Sequence, residues 1–142
     1  MNKLLLEKLS EITQEERIIL DGGVIDKTIY TDDEDFTVKS SKMLGFQRFI
    51  EMRPHTRFAN FPKHKHNYIE MIYMCSGSTR HLINDREVLL SRGELLILNQ
   101  SATQEIYPAG EEDVAVNFII LLCALSPKAC LSKACERTPY AS

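Results

Sequence analysis

The rhythm of hydrophobic and polar positions changes about a third of the way along the chain. Before that point Leu5, Leu6, Leu9, Ile12, Ile19 and Leu20 recur at helical spacing among Glu and Lys. Thr13 and Glu16 have the spacing of a capping box, so the pattern predicts one helix, a restart at Thr13 and a stop at Asp21-Gly22-Gly23. From Phe46 onward short β-rich runs take over, at 46–52, 68–74, 79–83, 87–90, 95–98, 104–107 and 114–122, with turn residues between them. Asn84-Asp85 suits a tight hairpin turn, and Pro108-Ala109-Gly110-Glu111 a second reversal joining adjacent antiparallel strands. The expectation is an all-β sandwich or barrel over 46–122, behind a helical extension and lead-in over 1–45. Residues 123–142 lose the β pattern, are rich in Ala, Ser, Cys and Lys, and read as a divergent tail.

A chain of 142 residues leaves room for one core, since domains take roughly 100–200 residues. Its formal net charge of −3 denies it the basic footprint of a nucleic-acid binder. Charge is uneven, acidic over the first 35 residues and basic over 39–66, which suits solvated faces or a site for an anion. No run of 18 apolar residues is present, so neither a membrane span nor a signal-peptide core is expected. The expected location is the cytoplasm, with Cys75, Cys123, Cys130 and Cys135 reduced and their spacing offering neither a disulfide framework nor a zinc site.

The chemistry concentrates in Phe61-Pro62-Lys63-His64-Lys65-His66-Asn67-Tyr68-Ile69-Glu70. On an extended strand alternate side chains share a face, which would put His64, His66 and Glu70 together with Tyr68 and Ile72 beside them. Two imidazoles and a carboxylate can hold a divalent metal such as zinc, nickel, iron or manganese. They serve equally as the polar lining of a small-molecule pocket whose wall is Tyr68 and Ile72. Ile69, Met71 and Tyr73 fall on the opposite face as core or cover. Arg53, His55 and Arg57 could reach an anion or remain solvated, His81 has no visible carboxylate partner, and Cys75 suits a small buried apolar group.

The spacing His64-x-His66-x3-Glu70-x6-Gly77 resembles the first cupin motif, with Phe58 at its opening glycine position. The second cupin motif is kept only in part: Gly93 holds the first glycine, while Asn99, Ser101, Gln104 and Pro108 stand where proline, glycine, histidine and asparagine belong. Over about residues 45–122 the chain is similar to the amino-terminal sensor domains of AraC-type bacterial transcription regulators. That resemblance implies a double-stranded β-helix (jelly-roll) barrel whose mouth takes a small-molecule effector. It also implies association as a homodimer, and DNA contact only through a helix-turn-helix domain absent from this chain. On this reading the family pattern stops after Leu122, the product being either truncated or the outcome of an altered gene end; the ligand pocket is His64, His66, Tyr68, Glu70 and Gln104, and any metal on His64, His66 and Glu70 is weakly held, since a glutamine is a poorer ligand than the imidazole it replaces. No catalytic residue follows from it; the alternative is a small metal-dependent cupin enzyme, a dioxygenase or an isomerase.

Overall fold

The capping box forms as its spacing implies. In the computed structural model, which describes residues 1–122, Thr13 Oγ1 accepts from the Glu16 backbone N–H at 3.2 Å and Glu16 Oε2 accepts from the Thr13 N–H at 2.9 Å. This opens helix α2 (Gln14–Leu20), which follows α1 (Lys3–Ser10). The chain leaves α2 through Asp21 and Gly22, whose φ of 95° glycine adopts without steric cost. A 3₁₀ turn at Lys27–Ile29 and the short α3 (Ser40–Met43) lead to the barrel.

Nine strands make two sheets. One has the order β1 (Thr37–Val38), β3 (Phe61–His66), β8 (Gln104–Ile106), β5 (Ser78–Ile83), β6 (Arg86–Ser91). The other runs β2 (Ile50–Pro54), β9 (Val114–Ile120), β4 (Ile69–Ser76), β7 (Leu95–Leu98). Every pairing is antiparallel except β1 with β3. Strands that alternate between two such sheets are those of a cupin-type jelly roll, the fold class expected from the sequence.

Asn84 and Asp85 close the β5–β6 hairpin with φ of 48° and 62°, the two left-handed residues a type I′ turn requires. Three expectations are corrected. The strand expected from Phe46 starts at Ile50, because Arg48 N donates to Gly45 O at 3.1 Å and Gln47 takes a φ of 56°, a turn that no extended run accommodates. Pro108–Glu111 is no hairpin: β8 and β9 lie in different sheets, and the chain crosses between them here. The stretch from Phe61 to Glu70 is not one strand, since a bend at Asn67-Tyr68 divides β3 from β4 and sends them to opposite sheets. The tail expected at 123–142 lies outside the described residues.

Apolar residues fill one part of the space between the sheets completely: Ile72 and Met74 of β4 pack with Leu90 and Ala115, against Leu96. Ile72 thus belongs to solid core and does not wall a pocket, a further correction. The second cluster joins the barrel to the segment before it, Ile19, Tyr30, Val38 and Met43 meeting Phe61, Tyr68, Ile106 and Ile119. A buried ion pair locks this seam. Glu16 Oε1 accepts from Arg57 Nε at 2.8 Å and Oε2 from Nη2 at 2.9 Å, while Arg57 Nη1 donates to the Glu111 carbonyl at 2.8 Å. Burial pushes the Glu16 carboxyl up, but its hydrogen bonds from Arg57 and Thr13 and the Arg57 charge outweigh burial and hold it below the ordinary value.

Candidate ligand pocket

A cavity of about 490 Å³ opens where α2 and the Lys27–Ile29 turn meet the barrel. Its apolar wall includes Val38, Phe61, Ile106 and Ile119, with the rings of Tyr30 and Tyr68. His64, His66, Tyr68, Glu70 and Gln104 all line it. They meet for a reason other than single-strand alternation. β3 brings His64 and His66 from one sheet, β4 brings Glu70 from the other, Tyr68 sits in the bend between them, and β8 sets Gln104 opposite His64 in register.

Asn117, Arg53 and His55 also line the cavity. Asn117 carried no sequence signal, because only the pairing of β9 with both β2 and β4 brings it beside His55 and Glu70. Arg57 is withdrawn into its ion pair with Glu16 and does not reach the cavity. Tyr73 and Met71 lie on the outer face of the four-stranded sheet, Tyr73 exposed and Met71 half-buried. Cys75 is buried among apolar neighbours.

Hydrogen bonds behind the wall fix how each polar group is presented. His64 Nδ1 donates to the Pro62 carbonyl at 2.7 Å. Asn117 Nδ2 donates to Glu70 Oε1 at 3.0 Å, which turns Asn117 Oδ1 toward His55 Nδ1, its donor at 2.9 Å. Gln104 Nε2 donates to His81 Nδ1 at 3.1 Å; His81 Nε2 meets Thr79 Oγ1 at 2.8 Å, and that hydroxyl donates to Met74 Sδ. His81 is therefore a satisfied buried histidine. His66 Nε2 approaches Glu70 Oε2 to 3.2 Å, too poorly aligned for a hydrogen bond. Four buried atoms are left without a partner: His55 Nε2, His66 Nδ1, Glu70 Oε2 and Gln104 Oε1.

Desolvation keeps these rings neutral. Burial, then the neighbouring His66, pull His64 down to about 4, and burial alone takes His66 to about 4. His81 falls to about 3 through burial and the nearby His55 and His64. Burial pushes the Glu70 carboxyl up, against the smaller opposing pull of His64, His55 and Asn117.

A divalent metal would need His64, His66 and Glu70 to converge on one point. Among the described residues no group of three or more His, Cys, Asp and Glu side chains stands close enough to hold an ion. His66 turns to Glu70, His64 turns to Gln104, and the donor set does not fit a metal as arranged.

The first cupin motif's glycine positions show what the departures mean. Phe58 takes a φ of 70° where that motif has glycine, and Gly77, at its close, takes a φ of 67°. Phe58 thus holds a left-handed conformation that glycine adopts without steric cost.

A family model described as the AraC-like ligand binding domain matches residues 52–131, more than half of the chain. The chain belongs to the AraC-like ligand binding domain family. No curated protein sequence matches it. Among solved structures it is similar to a cupin-2 domain containing protein from Shewanella frigidimarina, at 13% identity over 53% of this chain and 72% of that one, TM-score 0.44. It is also similar to KdgF from a Halomonas species, at 11% identity over 54% and 84%, TM-score 0.42. A predicted oxalate decarboxylase from Thermotoga maritima matches at 21% identity over 51% and 65%, TM-score 0.43.

Proposed function

We propose that this chain is the effector-binding sensor domain of an AraC-type transcription regulator and catalyses no reaction. The cavity carries the reading: about 490 Å³ lies within the range of small-molecule sites, with an apolar wall and a few convergent polar atoms lacking partners. An apolar body fits against Phe61, Ile106 and Ile119, while polar groups of the effector meet His55, His66, Glu70 and Gln104. The helix α2 side of the cavity, through Thr13, Gln14, Glu15 and Ile18, couples occupancy to the amino-terminal segment.

The regulator acts in the cytoplasm and meets DNA through a helix-turn-helix part outside this chain. No helix among the described residues is long and apolar enough to cross a membrane. Two copies associate through the outer face of the four-stranded sheet. Met52, Phe118, Met71 and Ile97 form one unbroken apolar row across its four strands, and the outward positions of the flanking rows carry no charge either. Met52 and Ile97 are exposed, while Leu6 and Leu9 of α1 pack over Val114 and Val116 at one end of this face, and an exposed apolar patch of this kind marks an association surface. Sedimentation of the chain and of Ile97→Asp separates the outcomes: a dimer in the first and a monomer in the second support it, and a strictly monomeric parent contradicts it.

A thermal-shift screen of small molecules tests the sensor reading itself. A ligand at one hundred times its dissociation constant stabilises the fold by about 2.7 kcal/mol. Stabilisation by at least one compound, lost when the cavity is filled by Ile106→Trp, is the expected result. Turnover of a substrate with a stoichiometric metal would overturn it.

A further inference from the structure

The hydrogen bonds behind the pocket wall leave several of its buried acceptors without donors. A backbone carbonyl can only accept, so the 2.7 Å contact to Pro62 O fixes the proton of neutral His64 on Nδ1 and bares Nε2. Asn117 spends its amide N–H on Glu70, so its carbonyl faces His55 Nδ1, which must carry that ring's proton, and His55 Nε2 is bare. The Thr79 hydroxyl donates to Met74, so His81 Nε2 must be the donor to Thr79. His81 Nδ1 then accepts from the Gln104 amide and leaves Gln104 Oε1 facing inward. Glu70 Oε2 completes the set. His55 Nε2, Glu70 Oε2 and Gln104 Oε1 are each buried and without a hydrogen bond.

Such a wall is costly unless something supplies donors, because a buried polar atom left without its hydrogen bond loses about 1–3 kcal/mol. Glu70 is the one acidic group in this ring of acceptors, and its Oε2 has no hydrogen-bond partner, His66 Nε2 approaching it to 3.2 Å without alignment. Two other charged groups share the wall: Arg53, whose Nη1 donates to the Met43 carbonyl at 3.1 Å, and Glu15, which accepts from the hydroxyls of Tyr30 and Thr56.

We infer that the effector is an organic cation of the ammonium or guanidinium class with an apolar body, its N–H groups donating to Glu70, Gln104, His55 and His64. This inference rests on the sensor reading and narrows it. Charge complementarity selects the class: a cation neutralises Glu70 and fills several lone pairs at once, and the aromatic rings of Tyr68 and Phe61 suit its body. A carboxylate ligand meets lone pairs and a like charge.

Three probes that share one body and differ only in the head group test it: benzylamine, benzyl alcohol and benzoate, titrated in thermal shift with EDTA present. Benzylamine is expected to raise the melting temperature by about 4 °C at ten times its dissociation constant. Benzoate is expected to leave it unchanged and benzyl alcohol to fall between. The benzylamine shift is expected to vanish in Glu70→Gln and to shrink at least threefold in Gln104→Met, which carries the test alone if the first variant does not fold. Stabilisation by benzoate, no shift with benzylamine, or an undiminished shift in the variants overturns the inference. So does stabilisation by zinc, without EDTA, in place of the amine. If other compounds of the wider screen still bind in the cavity, the sensor reading stands and only the cationic class falls.

Discussion

His64 and Gln104 face each other as register partners on β3 and β8, each anchored from behind, His64 by the Pro62 carbonyl and Gln104 by His81. Gln104 stands where the second cupin motif has its histidine. One of its amide hydrogens is taken by His81, and its buried carbonyl oxygen is left without a partner.

Restoring the missing imidazole is therefore expected to move the pocket toward metal binding. Gln104→His adds an imidazole nitrogen ligand beside His64, and zinc or nickel affinity measured by calorimetry should rise at least tenfold. An unchanged affinity would mean that the side chains cannot turn to a common ion.

Glu16 and Arg57 hold the amino-terminal segment onto the barrel, and removing one partner leaves a buried charge uncompensated. Glu16→Ala is expected to destabilise the fold by about 3–5 kcal/mol in urea denaturation. Substituting both, as Glu16→Leu with Arg57→Met, should cost clearly less than the sum of the single changes. Additive losses would show that the pair is not the link.

Acid should unfold this protein early. Burial holds His64, His66 and His81 at about 4, 4 and 3, below the ordinary value near 6.5 that they regain when unfolded. Above pH 6.5 both states are neutral and this contribution is at its maximum. As pH falls from 6.5 toward 4 the unfolded chain binds protons that the native one refuses, and each ring removes about 1 kcal/mol per pH unit. Glu70, raised by burial, works in the opposite sense as one group against these three and His55, which burial also lowers. Urea midpoints at pH 7, 6 and 5 should fall steeply, and a flat profile would contradict the burial of the rings.

Local signals in the sequence carried over into the structure where one residue settles the geometry. Thr13 with Glu16 and Asn84 with Asp85 did so because a cap and a type I′ turn depend on neighbours a few residues apart. Glu16 shows the limit, since nothing near it in sequence announces that its carboxylate also binds Arg57, 41 residues away. The pocket was legible for a partly mistaken reason. Alternation along one strand grouped His64, His66 and Glu70, whereas the bend at Asn67-Tyr68 puts them on two sheets that face each other across the cavity. Alternation also misassigned Ile72, and it could not find Asn117, whose place depends on β9 pairing with β2 and β4 at once.

Ring-nitrogen NMR of the histidines, recorded with and without the strongest compound from the screen, reads the effector pocket at its own atoms. Bare, unprotonated Nε2 signals are expected for His55 and His64 in the free protein, with a shift toward hydrogen-bonded values when the ligand binds. Saturable binding that leaves both signals unmoved, or free-state rings protonated on Nε2, would contradict an effector pocket built from these residues.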